Sequence, residues 1–232
     1  STPKPSSAAS DVYKRQIYCE WAPNEKVEME VACGAAIAGA RSFCAMKHVG
    51  LNVACDPLFT ASYTGVNAGM VIAVADDPGM HSSQNEQDSR HHAQASKTMM
   101  LEPSDSAECL AYTKLAYELS EQFDTPVILR LSTRVSHSRS LSETAERVDN
   151  GVKDYVKDPQ KYVMMPAMAK GRHVVVEERF QAETAWAETA SINTVEYNDT
   201  SIGVIAAGIS YQYAKDCLLY TSDAADEGLG VD

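Results

Sequence analysis

Residues 70–75 read MVIAVA, six consecutive apolar residues that include two valines and one isoleucine. A run of this length and composition predicts a strand that is buried on both faces, as in the interior of a parallel sheet. The polar stretch that follows, Asp76 to Arg90, is too long for a simple turn. Because ligands gather beyond the carboxyl ends of parallel strands, this stretch is a candidate part of a functional site.

The segments around this strand alternate between predicted strands and predicted helices. Further strands are expected at Ile17–Trp21, Arg41–Met46, Thr98–Leu101, Pro126–Ser132 and Ser201–Ala207, and helices at 24–40, Asn52–Tyr63, Ser104–Phe123, Val174–Ala190 and Ile209–Asp216. Asn24 is the expected N-cap of the first helix. The alternation predicts an α/β fold with a mostly parallel sheet flanked by helices.

Composition excludes several classes of partner. The 232 residues include 20 basic and 32 acidic side chains, for a net charge of −12, and they contain no cluster of Lys or Arg. This charge disfavours nucleic acid and anionic membrane surfaces as partners. No apolar run approaches the roughly 20 residues of a membrane-spanning helix, and no secretory signal is visible.

The cysteines indicate a reducing compartment, and we expect a cytoplasmic protein. Five of the six lie between residues 17 and 216, without C-x-x-C spacing: Cys19, Cys33, Cys44, Cys55 and Cys109. An odd number in apolar surroundings predicts small buried thiols. It predicts neither a disulfide framework nor a zinc or iron–sulfur site within the chain.

Both ends of the sequence look foreign to the rest. Residues 6–16 read SSAASDVYKRQ and residues 217–227 read CLLYTSDAADE. One stretch of DNA, resembling a transposase adapter used in sequencing-library preparation, encodes the first segment, and its reverse complement encodes the second. We therefore expect residues 1–16 and 217–232 to be non-native tails that make no persistent contacts with the core.

Several side chains lie where chemistry is expected, and residue type alone leaves their roles open. Glu25 begins a helix of small apolar residues, so it is either an ordinary first-turn acid or a carboxyl held out of water. Lys47 and His48 follow a strand and form either a carboxylate-binding pair or a surface pair. Asp76 and Asp77, with Asp88, suggest either a metal-dependent hydrolase or turn-forming residues. Phosphate-binding glycine motifs and a G-x-S-x-G elbow are absent.

Longer motifs carry a resemblance to a known family. They read EWAPNEKVEMEVACGAAIAGAR (20–41), MKHVGLNVACDPL (46–58), TGVNAG (64–69), VADDPGMHSSQNEQDSR (74–90), LEPSDS (101–106), TRVSHSR (133–139) and GISYQYAK (208–215). With these motifs the chain resembles the alpha subunits of the indolepyruvate ferredoxin oxidoreductase family, which are thiamine-diphosphate-dependent 2-oxoacid ferredoxin oxidoreductases.

The resemblance implies a cofactor, a reaction and partners. Glu25, followed nine residues later by Gly34, matches the glutamate that hydrogen-bonds N1′ of the aminopyrimidine ring in thiamine enzymes, and Asn24 lies beside it. The implied reaction decarboxylates an aryl pyruvate oxidatively to an aryl-acetyl-CoA. The implied partners are a beta subunit, ferredoxin, the 2-oxoacid and coenzyme A. The open alternatives are a non-catalytic or regulatory module and a related enzyme with another 2-oxoacid substrate.

The resemblance also implies where the site lies and what falls outside the chain. The residues expected to line the substrate pocket are Lys47, His48, His81, Ser82, Ser83, Gln84, Asn85 and Gln87. The predicted divisions are a pyrimidine-binding domain at 17–165, a linker with a helix at 166–200, and the start of a second α/β domain at 201–216. The ligands of Mg²⁺ and of the [4Fe-4S] clusters are expected elsewhere, so this chain alone is predicted to be inactive.

Overall fold

Four parallel strands form a sheet at the centre of the protein, in the order β1-β2-β4-β3. The computed structural model describes residues 17–143, 145–146, 148–197 and 201–220. The strands are β1 (Ser42–Lys47), β2 (Met70–Asp76), β3 (Met99–Leu101) and β4 (Val127–Ser132). Every pairing between them is parallel, which confirms the predicted sheet.

Helices pack on both faces of this sheet. They are α1 (Glu25–Ile37), α2 (His48–Val53), α3 (Cys55–Thr64), α4 (Ser89–Ser96), α5 (Ser106–Phe123), α6 (Thr133–His137), α7 (Pro159–Tyr162), α8 (Pro166–Thr189) and α9 (Ile209–Tyr220). Within the described ranges, no helix is long and apolar enough to cross a lipid bilayer.

The central strand β2 separates two hydrophobic clusters. Met70, Ile72 and Val74 point into a cluster with α1, α2 and α3. Val71 joins a second cluster on the opposite face, together with α5 and β4. Alternate residues of a strand point to opposite faces of the sheet. Because helices cover both faces at β2, apolar residues are favoured at every position of its run. This confirms the prediction of a fully buried strand.

Helix α1 begins where the sequence predicts. The Oδ1 atom of Asn24 accepts a hydrogen bond from the backbone N–H of Val27 at 3.0 Å, which is the usual geometry of an N-cap. Met29, Ala32 and Ala36 form the buried face of the helix against the sheet. The small side chains of this face allow α1 to approach the strands closely.

Two predicted helices differ from the structure in their boundaries. The segment predicted as one helix, Asn52–Tyr63, belongs to two helices, α2 and α3, which meet at Ala54. Helix α5 begins at Ser106 rather than Ser104 because Asp105 is its N-cap, with Oδ1 2.8 Å from the backbone nitrogen of Glu108. The Glu108 carboxylate in turn accepts from the backbone N–H of Ser104, the residue before the N-cap.

Two predicted strands do not form. The segments Ile17–Trp21 and Ser201–Ala207 have apolar composition, but neither is part of a strand in the structure. Trp21 is 76% exposed, and Ile205 is fully exposed. A strand needs a neighbour to receive its backbone hydrogen bonds, and the described residues provide none for these segments. The predicted start of a second α/β domain therefore contains only α9 as regular structure here, and the predicted domain boundaries stay a prediction.

The cysteines differ in burial. Only Cys44 is buried, and burial raises the pKa of its thiol well above the ordinary value. Cys33 is half-buried, and burial raises its pKa to about 11. The expectation of small buried thiols is therefore correct for Cys44 alone, and Cys217 is exposed. Thiols this poorly ionised are weak nucleophiles at neutral pH.

Helix α8 is longer than predicted and packs tightly against the domain. It begins at Pro166 instead of Val174. The buried Arg179 guanidinium donates to the carbonyls of Ser62 and Asp124, at 2.7 and 3.0 Å. Glu183 lies one turn along the helix, with its carboxylate 3.6 Å from Nε of Arg179. Burial raises the pKa of Glu183 to about 7, against the opposing effect of the Arg179 charge.

We expect Arg179→Ala to destabilise the chain by about 3–5 kcal/mol, the usual cost of removing one partner from a buried ion pair. The substitution leaves Glu183 buried without its cation and removes the donors to Ser62 and Asp124. Urea unfolding followed by circular dichroism measures the loss. The control is Lys170→Ala, an exposed residue of the same helix. Equal stability of the two variants would show that Arg179 does not hold α8 in place.

Candidate functional site

The carboxyl ends of β1, β2 and β4 lie along one edge of the sheet, because the three strands are parallel and adjacent. These strands end at Lys47, Asp76 and Ser132. The long polar loop 77–88 starts from the middle of this edge and leads to α4. The predicted site residues of the two segments 47–48 and 81–87 therefore share one side of the sheet.

Asp76 connects the end of β2 to its neighbours. One carboxylate oxygen accepts from the Ser89 hydroxyl at 2.5 Å, and the other accepts from the backbone N–H of Ser89 at 3.0 Å. The second oxygen also receives Nε of Arg130 from β4 at 2.7 Å. Arg130 extends the network to Glu102, which follows β3. Because the Asp76 side chain is fully buried, these bonds replace its hydration.

Asp77 holds the start of the loop. Its Oδ2 atom accepts from the backbone N–H of Ser82 at 2.7 Å, and its Oδ1 atom accepts from the Thr133 hydroxyl at 2.8 Å. Donors that bond an ionised carboxylate favour the charged form. The Ser82 N–H, followed by the Thr133 hydroxyl, holds the pKa of Asp77 well below its usual range.

A tight turn lets the loop fold back on itself. Gly79 and Met80 both have left-handed backbone conformations, with φ of 81° and 56°. The N–H of Met80 donates to the carbonyl of Asp77 at 3.0 Å, and the N–H of Gly79 donates to Glu86 at 2.9 Å. Glycine is suited to this conformation because it has no Cβ. The turn brings residues 82–87 back to the edge of the sheet.

Lys47 contacts the returning part of the loop. Its ammonium lies 2.5 Å from the carbonyl oxygen of Ser82 and 3.4 Å from the hydroxyl of Ser83. The side chain is exposed, so these bonds compete with water and leave a cation at the surface of the site. Lys47 is also the residue at which β1 passes into α2.

His48 is buried beneath the loop. Its Nε2 atom lies 3.0 Å from the carbonyl oxygen of Asn85. A carbonyl oxygen only accepts, so Nε2 carries the proton and Nδ1 is an acceptor. Nδ1 has no partner among the described residues, and the same holds for the buried Oε1 of Gln87. Gln87 donates its amide to Oδ1 of Asn85 at 2.9 Å, so Asn85 bridges the two side chains.

Glu25 reaches Gly50 of α2 from the start of α1. It is the first residue of α1, and its side chain is half-buried. Its carboxyl lies against Gly50 in α2, where a Cβ added to Gly50 would be 3.1 Å from Oε1. In the described part of the chain, no hydrogen bond or ion pair occupies this carboxyl. The free oxygen atoms of Glu25 therefore lie beside Gly50, which follows His48 by two residues in α2.

The structure brings most of the predicted site residues together. Lys47 is hydrogen-bonded to Ser82 and Ser83, and His48 is linked through Asn85 to Gln87. Glu25 lies against Gly50 in α2, whereas Asn24 is exposed and caps α1. His81 and Gln84 are exposed, and neither side chain makes a hydrogen bond in the described ranges. The roles of all these residues stay predictions.

Sequence reasoning missed the groups that hold the site in place. Gly50 and Arg130 were not singled out, and Asp77 was considered only as a metal ligand or turn former. Thr133 begins the motif TRVSHSR directly after a predicted strand, and this position was its signal. No such signal exists in the sequence for Gly50, which precedes the predicted helix, or for Arg130, whose partner Asp76 is 54 residues away.

Protein partners occupy the carboxylates that suggested a metal-dependent hydrolase. Asp76 is bonded by Ser89 and Arg130, and Asp77 by Ser82 and Thr133. Asp88 caps α4 and pairs with Arg90 at 2.7 Å. Each acid therefore has protein partners. Across the described ranges, no three acidic, histidine or cysteine side chains converge on one point that suits a metal ion.

A cavity of about 480 Å³ lies beside α5, and its lining includes Leu110, Lys114 and Glu143. None of its lining residues belongs to the predicted site.

Comparison with protein families gives one match. The family described as pyruvate flavodoxin/ferredoxin oxidoreductase, thiamine diphosphate-binding, matches residues 4–202. The chain is 46% identical over 213 residues to the indolepyruvate oxidoreductase subunit IorA of Methanothermobacter marburgensis, and 41% identical over 207 residues to that of Archaeoglobus fulgidus. These alignments cover 90% and 88% of the chain but only 34% and 33% of the relatives. The chain thus spans about a third of their length.

A solved structure shares the fold. It is a 2-oxoglutarate:ferredoxin oxidoreductase from Magnetococcus marinus with 2-oxoglutarate, coenzyme A and succinyl-CoA bound. The TM-score is 0.57 at 11% identity, over 93% of this chain and 46% of that one. At this identity the likeness concerns the fold alone.

We expect Asp77→Asn to loosen the loop and to flatten the pH dependence of stability. A carboxyl whose pKa is lowered on folding stabilises the folded state above its unfolded pKa of about 3.9, and this contribution is lost as the pH falls. Wild type should therefore lose stability more steeply than Asp77→Asn between about pH 5 and pH 2. At neutral pH the Ser82 amide should exchange its hydrogen faster in the variant.

Urea unfolding across this pH range and amide exchange measured by NMR test both effects. Asp216→Asn, at an exposed position of α9, is the control. A Ser82 amide that stays equally protected in Asp77→Asn would contradict the role of Asp77 as the anchor of the loop.

Proposed function

The chain belongs to the pyruvate flavodoxin/ferredoxin oxidoreductase family, and on this basis we propose that it is the part of an indolepyruvate ferredoxin oxidoreductase alpha subunit that binds the aminopyrimidine ring of thiamine diphosphate. Glu25 is the proposed contact to ring nitrogen N1′. The observation that carries this proposal is the position of Glu25, whose unoccupied carboxyl lies on Gly50 at the edge of the sheet.

The residues at this edge fit such a ring. A carboxyl with free oxygen atoms is able to share a proton with a ring nitrogen. The glycine beneath it leaves room for the side chain to lie flat along α2. The buried acceptor Nδ1 of His48 is a further polar atom without a partner in the described part of the chain. A flat heterocycle with donor and acceptor atoms suits a site that offers the Glu25 carboxyl and the Nδ1 atom of His48.

Thiamine diphosphate, when bound, supplies the electron sink for decarboxylation of a 2-oxoacid. The task of Glu25 is to hold a proton between its carboxyl and N1′. Asn24 keeps the first turn of α1 in place by capping it.

The substrate side of the site is assigned to Lys47 and the loop. The exposed Lys47 ammonium offers a positive charge to the carboxylate of a 2-oxoacid. Ser82 and Ser83 orient this ammonium, and Asp77 fixes Ser82. His48 supports the loop from below through Asn85. The exposed His81 and Gln84 are the residues free to contact an aryl group.

The proposed activity of the whole enzyme follows the relatives named indolepyruvate oxidoreductase subunit IorA. It is the oxidative decarboxylation of aryl pyruvates to aryl-acetyl-CoA, with transfer of electrons to ferredoxin. A beta subunit, ferredoxin and coenzyme A are the proposed partners. Ligands for Mg²⁺ and for [4Fe-4S] clusters are assigned to polypeptide other than this chain, as the family resemblance implies.

Glu25→Gln should lower kcat of a complete enzyme carrying this sequence by about 10²–10⁴-fold, the usual contribution of general acid–base catalysis. The amide has nearly the same shape, so folding should change little, but it does not share a proton with N1′. The rate of hydrogen exchange at C2 of bound thiamine diphosphate, measured without substrate, reports the effect directly.

Glu30→Gln is the matched control, since Glu30 lies on the exposed face of the same helix. If C2 exchange is as fast in Glu25→Gln as in Glu30→Gln, Glu25 is an ordinary first-turn acid and the proposed function fails.

The chain alone should not reduce ferredoxin or viologen dyes when it is given indolepyruvate, coenzyme A, Mg²⁺ and thiamine diphosphate. The diphosphate site is assigned to other polypeptide, and catalysis depends on holding both halves of the cofactor in place. Anaerobic viologen reduction, compared with the complete enzyme, measures this. Turnover by the chain alone would refute the assignment of the diphosphate site and the electron path to other polypeptide.

A further inference from the structure

Helix α2 contains a glycine that its backbone does not require. Gly50 is buried and lies within the helix His48–Val53, and it does not have the left-handed φ that favours glycine. Glycine in a helix interior is less stable than alanine because it loses more conformational freedom on folding. The reason for a glycine at this position therefore lies in what surrounds it.

The atoms nearest to a side chain at this position belong to Glu25. A Cβ added at Gly50 would lie 2.6 Å from Cγ of Glu25, and 3.1 Å from both Cδ and Oε1. These are the three nearest atoms to that position, apart from the chain next to Gly50. Non-bonded carbon atoms in proteins do not approach to 2.6 Å. An alanine at position 50 is therefore incompatible with the present conformation of Glu25.

We propose that Gly50 is a positioning residue for Glu25, and that its lack of a side chain makes the surface on which the Glu25 carboxyl is held toward the aminopyrimidine ring. This inference rests on the proposed function. Gly50 does not touch the reacting atoms, and it acts only through the direction in which Glu25 points.

The backbones on both sides of this contact are fixed, so the side chain is the part that must yield. Glu28 accepts a hydrogen bond from the backbone N–H of Ala45 at 2.8 Å, which holds α1 against β1. His48 holds α2 through Asn85 at 3.0 Å. Glu25 is half-buried, and the described residues provide no hydrogen bond to its carboxyl. A methyl group at position 50 would therefore turn Glu25 about χ1 into solvent.

The contact with Glu25 allows a positioning role of Gly50 to be distinguished from a packing role. In a packed core, an added methyl group strains its neighbours and lowers stability. At Gly50 the neighbour is a movable side chain, and alanine is the better helix former. Gly50→Ala should therefore keep or raise the urea midpoint of unfolding while it moves the Glu25 carboxyl. The two effects have opposite directions, and this is the signature of the proposal.

The test compares Gly50→Ala, Glu25→Gln and the double variant in the complete enzyme. Gly50→Ala should slow C2 hydrogen exchange on thiamine diphosphate and lower kcat by about 10²-fold, because small misplacements of a catalytic group have effects of that size. KM for the 2-oxoacid should change much less. The double variant should be no slower than Glu25→Gln alone, because both substitutions remove the same contact.

A second measurement does not depend on activity. The carbon-13 resonance of the Glu25 carboxyl, observed by NMR in the 232-residue chain, should shift in Gly50→Ala toward that of an exposed glutamate. Gly171→Ala is the control for both measurements: it is also a helical glycine, but a Cβ there meets no atom within 4 Å in the described ranges. It should raise stability slightly and leave the Glu25 resonance unchanged.

Any of three results would overturn the inference. The Glu25 resonance stays unchanged in Gly50→Ala, or C2 exchange in that variant stays at the wild-type rate although Glu25→Gln slows it. The third is a double variant whose kcat is much lower than that of Glu25→Gln alone.

If Gly50→Ala fails to fold, Glu25→Ala is added to remove Cγ. Restored folding supports the contact with Glu25, and continued misfolding refutes it. A shifted resonance together with a fast Glu25→Gln enzyme would instead reject the proposed function and retain the contact.

Discussion

The pair of carboxylates at the end of β2 is the constraint on which the rest of the site depends. Asp76 is buried and joins β4 and α4 to the central strand through Arg130 and Ser89. Asp77 then directs the loop by bonding Ser82. A buried carboxylate loses its hydrogen bonds from water and needs protein donors in their place. The loop therefore returns to the edge of the sheet.

The position of Glu25 depends on how α1 and α2 pack on the sheet. Helix α1 before β1 and helix α2 after it contribute to the same hydrophobic cluster on one face of the sheet. The start of α1 lies beside α2, which begins where β1 ends. A residue before β1 thus meets a glycine that comes after β1, 25 positions later in the sequence. The carboxyl at that meeting point is held by shape and not by hydrogen bonds.

The electrostatics of the domain also separate structural acids from the proposed catalytic one. The structural acids Asp76, Asp77 and Asp88 have cations or N–H donors within hydrogen-bonding distance. Glu28 has the backbone N–H of Ala45, although burial and the nearby Glu25 raise its pKa. Glu25 differs from them because its carboxyl keeps its bonding capacity for a ligand. The open edge of the sheet leaves room for that ligand.

The sequence by itself determined the α/β class, the buried strand β2, the start of α1 at Asn24 and the segments that contain the predicted site. Each of these depends on periodicity, capping or a motif within a short stretch of sequence. It did not reveal that residues 17–21 and 201–207 stay outside the sheet, since strands depend on partners as well as composition. Only the tertiary structure brought Glu25 onto Gly50, Asp77 to Thr133, and Arg179 to Ser62 and Asp124. These contacts join residues distant in the chain, and their geometry is decided by how helices pack on a parallel sheet.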